Sequence, residues 1–474
     1  MESVFNVLAD RYASSDMLGI WSAEGKIRVE RSLWIAVMRA QQSLGLSIPD
    51  EAIDAYERVV DTVDVASIKE RERITRHDVK ARIEEFCDLA GHEYVHMGMT
   101  SRDLTENVEQ LQVKRSLDLV LKKAIAVLAK IQARAEENIA TPLAARTHNV
   151  AAQVTSVGKR WAMFGEELLL SVKRLESLIE MYPLRGLKGA VGTQKDALQL
   201  LGGDVSKVQT LEKAVSDHLG FAGSLSNVGQ VYPRSLDTAV VDALVELASG
   251  PSNFAKTLRL MAGQDLASEG FAPGQTGSSA MPHKMNSRSC ERVNGFHTIL
   301  KGYQTMASGL AGDQWNEGDV SCSVVRRVCL PDAFFAIDGL FETFLTVLNQ
   351  MDVNDAVVDA EVVRYLPFLA STSLLMATVG KGMGREQAHG LVKKHALAAI
   401  AAMRSGETVE NRMLADLSTE SDWPLSLDEM EALLEKSKYE MGMAESQVSA
   451  FSSSVEALIH KYPAAKGVEP ESIL

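Results

Sequence analysis

The chain has 474 residues, 46% of them hydrophobic and 24% charged, with a net charge of -14. It is long for a single hydrophobic core, so two or three domains are expected, and the acidic balance speaks against nonspecific nucleic-acid binding, which needs a basic surface. No apolar run reaches the length of a membrane span, and Met1-Glu2-Ser3-Val4-Phe5-Asn6 has neither the basic start nor the apolar core of a signal peptide, so the expected location is the cytoplasm, away from membranes. Cys87, Cys290, Cys322 and Cys329 are scattered without a C-x-x-C pair and read as reduced thiols rather than as a disulfide or zinc framework.

From residue 1 to about 105, short helical patterns alternate with breakers around three polar clusters. They are Arg11-Tyr12-Ala13-Ser14-Ser15, Thr75-Arg76-His77-Asp78-Val79 and His96-Met97-Gly98-Met99-Thr100-Ser101. Thr100-Ser101 followed by Asp103 and Glu106 has the composition of a helix start, and such a start with free N–H groups and hydroxyls also seats a carboxylate. His92-Glu93-Tyr94-Val95-His96 fits the H-E-x-x-H pattern of zinc proteases, but Gly91 and Gly98 bracket it too closely for a stable helix, so no metal site is expected there.

From Glu106 to Ile139 there is neither Gly nor Pro, and apolar residues recur at helical spacing from Val108 to Ala135. That predicts a rod roughly 50 Å long. Further helical patterns cover about 150–181, 235–268 with a kink at Gly250-Pro251, 287–310 and 331–350, with hardly any strand-like alternation between them. The expected fold is all-α: residues 1–105 as an N-terminal helical domain, 106–354 as a central bundle of long helices, and 355–474 as a smaller acidic helical domain. Apolar stripes on several rods this long are easier to bury if subunits pack side by side.

Arg146-Thr147-His148 lies between the first two rods, and Gly229-Gln230-Val231-Tyr232-Pro233-Arg234 precedes the third. A lone histidine beside a helix is most often a cap or a satisfied core residue. After the third rod, the breaker-rich Gly270-Phe271-Ala272-Pro273-Gly274-Gln275-Thr276 leads into Gly277-Ser278-Ser279-Ala280-Met281-Pro282-His283-Lys284-Met285-Asn286. Small residues bring backbone N–H groups close to a ligand and Lys284 adds a fixed positive charge, so this loop can bind anions and move protons. Beyond it lie Arg288 and Arg292, then Trp315-Asn316-Glu317 and Ser323-Val324-Val325-Arg326-Arg327. In an acidic chain, cations clustered at residues 76, 284–292 and 326–327 suit an anionic ligand, although a salt-bridged surface gives the same pattern. Gly382-Met383-Gly384 lacks the third glycine of a dinucleotide fingerprint, and no cofactor is assigned to it.

The ten-residue loop closely resembles the signature loop of the fumarase/aspartase superfamily, whose members cleave C–N or C–O bonds by β-elimination and release fumarate or a related acid. Arg11-Tyr12 and Thr75-Arg76-His77-Asp78 are similar to its purine branch rather than to the arginine- or muconate-directed branches. The resemblance implies homotetramers around a central helix bundle, with active sites where loops of three subunits meet. It also implies a small-molecule nucleotide substrate and no cofactor or metal. It assigns Ser278 as general base, His148 as general acid, His77 to substrate orientation, and Lys284 and Asn286 with Thr100 and Ser101 to the carboxylates. Arg11, Tyr12, Arg292, Ser323 and Arg327 would grip the phosphate, and Arg76, Asp78, Gln230 and Ser279 would complete the substrate contacts. Two positions depart from the family pattern: Ser287 stands where a proline is usual, and Gly318 where an arginine is often found. A non-catalytic relative retained as a structural protein is the alternative from another class.

Overall fold

The computed structural model describes residues 6–272, 274–275, 280–281 and 283–471. Ser278 and Ser279 lie outside them. Five long helices dominate the described residues: Ser101–Glu137, Val157–Met181, Ser235–Ala262, Arg288–Ser308 and Ser321–Gln350. Each presents a broad apolar face, and the faces merge into one core that includes Leu117, Leu128, Trp161, Leu244, Phe254 and Phe344. Trp161 stacks on Phe254 at 4.5 Å and Phe254 meets Phe344 edge-on at 5.2 Å, so aromatic pairs tie three rods together.

The rods run alternately up and down, and two sets of contacts fix which ends meet. At one end, Glu106 pairs with Arg234, and Arg326 with Asp237 and Glu109, so the Ser101, Ser235 and Ser321 helices start together. At the other, Arg134 donates to the carbonyls of Leu348 and Asn349, and Asn354 donates to Leu266, so the same three helices finish together. The two ends are separated by the length of the Ser101 helix, roughly 55 Å for its 37 residues.

Two expectations change. Residues 150–156, read as the start of a helix, form instead the second strand of a hairpin, Pro142–Thr147 against Val150–Ser156, and the helix begins at Val157 under a Ser156 cap. The last rod starts at Ser321 rather than 331 and keeps Pro331 in its interior. Pro251 likewise sits inside the Ser235 helix.

The N-terminal helices Val7–Tyr12 to Asp78–Ala90 share the main core through Leu33, Trp34, Tyr56 and Phe86. A second, smaller core spans Val362 to Leu434 and takes in Ala144 of the hairpin. The helix Ala444–Lys461 returns to the bundle, where Val448, Phe451 and Val455 join the main core.

Candidate functional site

At the end where three rods start, a cavity of about 400 Å3 is lined by His77, Asp78, Ser101, Ser323 and Arg327 together with Lys26. Each is placed by local chain chemistry. His77 caps the Asp78–Ala90 helix, its Nδ1 accepting from the Lys80 N–H at 3.2 Å, so the neutral ring carries its proton on Nε2. Burial alone would push the Asp78 carboxyl up, but Arg82, the Val79 N–H and Arg327 outweigh it and hold the group below the usual carboxylate range. Thr100 and Asp103 cap the Ser101 helix, with the Thr100 N–H donating to Asp103 at 2.8 Å. Asp103 is buried and also accepts from Arg185 at 2.6 Å and from the N–H groups of Lys188 and Gly189, which docks the 185–194 loop on this helix start. Arg76 is an exposed left-handed C-cap one residue before His77.

Gln230 lies at the same end. Its N–H donates to the Glu317 carbonyl at 2.6 Å, and a side chain on Gly229 would put its Cβ 2.0 Å from that oxygen. Gly318 holds φ at 141° with the Gln230 and Val231 side chains 3.2 Å from where a Cβ would be. The glycine at 318 therefore has a structural reason: the turn after Trp315 lies flat on the Gln230 segment, and an arginine would strain it.

Beneath this cavity is a network that sequence reasoning missed. Glu106 is fully buried and accepts two bonds from Arg234, at 3.0 and 2.9 Å, and one from Arg102 at 3.1 Å. Glu109 bridges Lys26 and Arg326; burial would raise its pKa, but the two cations drive it far down, so it stays ionised. Arg326 also reaches Asp237 at 2.7 Å. The available signal was acids at positions 106 and 109, three residues apart at the start of an apolar rod. His96, in the H-E-x-x-H segment, is outside any helix, accepts from Trp34 at 3.1 Å, and is pushed down to about 4 by burial, so the two histidines do not share a helical face.

Lys284 and Asn286 of the signature loop are at the opposite end, where they line a cavity of about 780 Å3 with His283, Ser268, Lys256 and Arg259. Lys284 is exposed. Glu269, just before the loop, is 2% exposed, and its two carboxylate oxygens accept the N–H groups of Ser289 at 3.1 Å and Cys290 at 2.9 Å. One side chain thus clamps the loop's entry to the first turn of the helix at its exit, where Ser287 stands. His148 is also at this end, on the exposed tip of the hairpin. His148 and Asn149 both hold positive φ, 51° and 61°, the two-residue turn that matches strand twist and that His and Asn tolerate better than most side chains. Behind the tip, Arg146 pairs with Glu361.

Arg11, Tyr12 and Arg292 form a third group. Tyr12 meets Phe296 edge-on at 5.1 Å, and the Arg292 guanidinium lies 5.3 Å from its ring centre. Tyr12 also abuts Gly339, and Arg327 is roughly 18 Å further back along that same helix. A single chain thus brings His77, Asp78, Thr100, Ser101, Gln230, Ser323 and Arg327 to one end, Lys284, Asn286 and His148 to the other, and Arg11, Tyr12 and Arg292 to a position between.

Comparison with known proteins adds the remaining facts. A family model described as Lyase matches residues 10–300, and one described as Adenylosuccinate lyase C-terminus matches residues 367–451. The adenylosuccinate lyase of Saccharomyces cerevisiae is 32% identical over 451 residues, 94% of this chain and 93% of its own length. That of Schistosoma mansoni is 31% identical over 97% of both. Among solved structures, the 3-carboxy-cis,cis-muconate lactonizing enzyme of Pseudomonas putida superposes with a TM-score of 0.82 at 21% identity, covering 95% of this chain and 99% of its own.

Proposed function

The chain belongs to the adenylosuccinate lyase family, a family of carbon–nitrogen lyases, and from that membership we propose that it cleaves adenylosuccinate to AMP and fumarate in sites completed between subunits. By the same chemistry it acts on the succinyl-carboxamide ribotide of purine biosynthesis. The observation that carries the shared-site reading is the separation within one chain of Lys284 and His148 from His77 and Ser101, by about the length of a rod. Groups that far apart cannot touch one substrate, whereas antiparallel packing of neighbouring subunits sets opposite ends side by side. Exposed apolar residues on the rods, among them Met163, Leu170, Leu260 and Val324, favour such packing and support a homotetramer.

The reaction sets three tasks: removing a weakly acidic proton beside a carboxylate, holding the doubly charged intermediate, and protonating the departing nitrogen. Ser278 takes the proton. An alcohol is a feeble base, so loop N–H groups and Lys284 must stabilise its anion once water is excluded. Lys284, Asn286 and the Thr100-Ser101 helix start hold the succinyl carboxylates, assisted by Ser279. His148 gives its proton to the leaving nitrogen, and His77, with Arg76 and Asp78 about it, helps to orient the substrate, which Gln230 also contacts. Arg11, Tyr12, Arg292, Ser323 and Arg327 grip the phosphate from two chains. As the C–H proton passes to Ser278 its bonding pair becomes the C=C bond of fumarate, and the C–N pair leaves on nitrogen, which takes the His148 proton; no electrons enter or leave, so the step calls for no redox partner.

Following the ultraviolet absorbance of adenylosuccinate during incubation with the purified protein tests the reading. Loss of substrate with appearance of AMP and fumarate is expected, and a Ser278→Ala protein that matches the wild type would overturn the assignment of the base.

A further inference from the structure

The last described residues, Lys466-Gly467-Val468-Glu469-Pro470-Glu471, do not trail into solvent. Val468 packs on the main core, and Glu469 is held from two rods at once, by Lys130 at 2.9 Å and by Asn349 at 3.0 Å. Glu471 then reaches the start of the chain. Its Oε2 accepts the Ser15 N–H at 3.0 Å and its Oε1 accepts the Ser15 hydroxyl at 2.7 Å, while its own N–H donates to Glu342 at 2.6 Å.

The residue beside Ser15 is tied to the same place from below. The Ser14 N–H donates to Asp338 at 2.6 Å, and its hydroxyl accepts from Lys123 at 2.9 Å. Lys123, Asp338 and Glu342 form a cluster inside the bundle, each almost fully buried. Burial alone would push the Lys123 ammonium toward neutrality, but Asp338 and Glu342 more than offset it. Tyr12, two residues before Ser14, rests against Gly339, where any Cβ would come within 2.8 Å of it. Ser14 and Ser15 are thus pinned between the buried cluster and the tail, and the segment they anchor carries Arg11 and Tyr12.

We propose that the C-terminal tail is a strap for the phosphate-gripping arm, and that Glu471 is a positioning residue that fixes Arg11 and Tyr12 by holding Ser15. The proposal rests on the reading that Arg11 and Tyr12 bind the nucleotide phosphate. Without the strap the arm remains attached to the bundle through Ser14, but it must lose more conformational freedom when the substrate binds. The effect therefore falls on KM rather than on the chemical step.

The test is a double-mutant cycle on the full-length protein with adenylosuccinate. Glu471→Ala is expected to raise KM about tenfold and leave kcat within about twofold, with little change in thermal midpoint. Glu471→Gln should recover most of the KM, since an amide oxygen can still accept the Ser15 N–H and the serine hydroxyl can turn to accept from the amide nitrogen. In an Arg11→Ala background, where only Tyr12 remains to be positioned, Glu471→Ala should raise KM by a clearly smaller factor. An unchanged KM in Glu471→Ala, or the same factor in both backgrounds, overturns the strap. An Arg11→Ala protein with wild-type KM overturns instead the phosphate reading on which the strap depends.

Discussion

Where the rods begin, charge is buried and paired: Glu106, Glu109 and Asp237 are met by Arg102, Arg234, Arg326 and Lys26 beneath the cavity that holds His77 and Ser101. At the other end Lys284 and His148 are exposed, and Lys284 lines the larger cavity. Two unit charges 4 Å apart attract by about 1 kcal/mol in bulk water and by roughly four times that near a protein surface. The first end is therefore preorganised before any ligand arrives, whereas Lys284 and His148 act strongly only after something displaces water around them. On the proposed reading one end is a finished template and the other a half-site, and the elimination needs both.

Separating the ends genetically breaks this comparison most sharply. Ser278→Ala and His148→Ala should each lower turnover by about 10²–10⁴-fold while leaving the fold intact. Unfolding and refolding the two inactive proteins together should restore part of the activity, because some mixed sites receive both intact groups. A mixture as inactive as its components would mean that each site is built from one chain.

The next largest effect contrasts a buried charge with an exposed one. Glu106→Ala strips a fully buried carboxylate from Arg102 and Arg234, leaving Arg102 without an ion pair among the described residues and Arg234 with only its 3.8 Å pair to Asp237. It should destabilise the protein by about 3–5 kcal/mol in urea denaturation. Lys284→Met at the open end should stay within about 0.5 kcal/mol of the wild type and yet be inactive. Equal stability losses would mean that the two ends are not built differently.

Much of this is legible in the sequence. The Gly- and Pro-free stretch from Glu106 to Ile139 announced its rod, and Thr100, Ser101 and Asp103 announced the helix start. The hairpin was not legible, because its turn is His148-Asn149 with no glycine and Val150–Ser156 alternates only weakly between buried and exposed. Pro331 also misled: a proline reads as a first helical residue, whereas here it lies in the interior of the Ser321 helix. For the site, motif spelling pointed to Lys284, His148 and His77 but could not say which end of an antiparallel bundle each would occupy, since that depends on rod length and direction. Glu269 had no signal beyond being one acid ahead of a glycine-rich run.

Glu269 supplies the smallest of these effects and the finest test of the half-site. Its carboxylate caps the Arg288–Ser308 helix through two N–H groups and has the loop's first residue on its other side, so Lys284 and Asn286 hang from a segment pinned at both ends by one residue. Glu269→Ala should cost about 1–2 kcal/mol of stability, the range for losing a charged N-cap. Because reacting groups must be held to within a fraction of an ångström, it should also lower kcat/KM by about tenfold or more. Glu269→Gln should fall between the two, since an amide can accept only one of the N–H groups and turns its own NH2 toward the other. If Glu269→Ala lowered stability and left kcat/KM untouched, the carboxylate would be a helix cap alone, and the position of Lys284 would have to be set by contacts that form only when another subunit closes over the cavity.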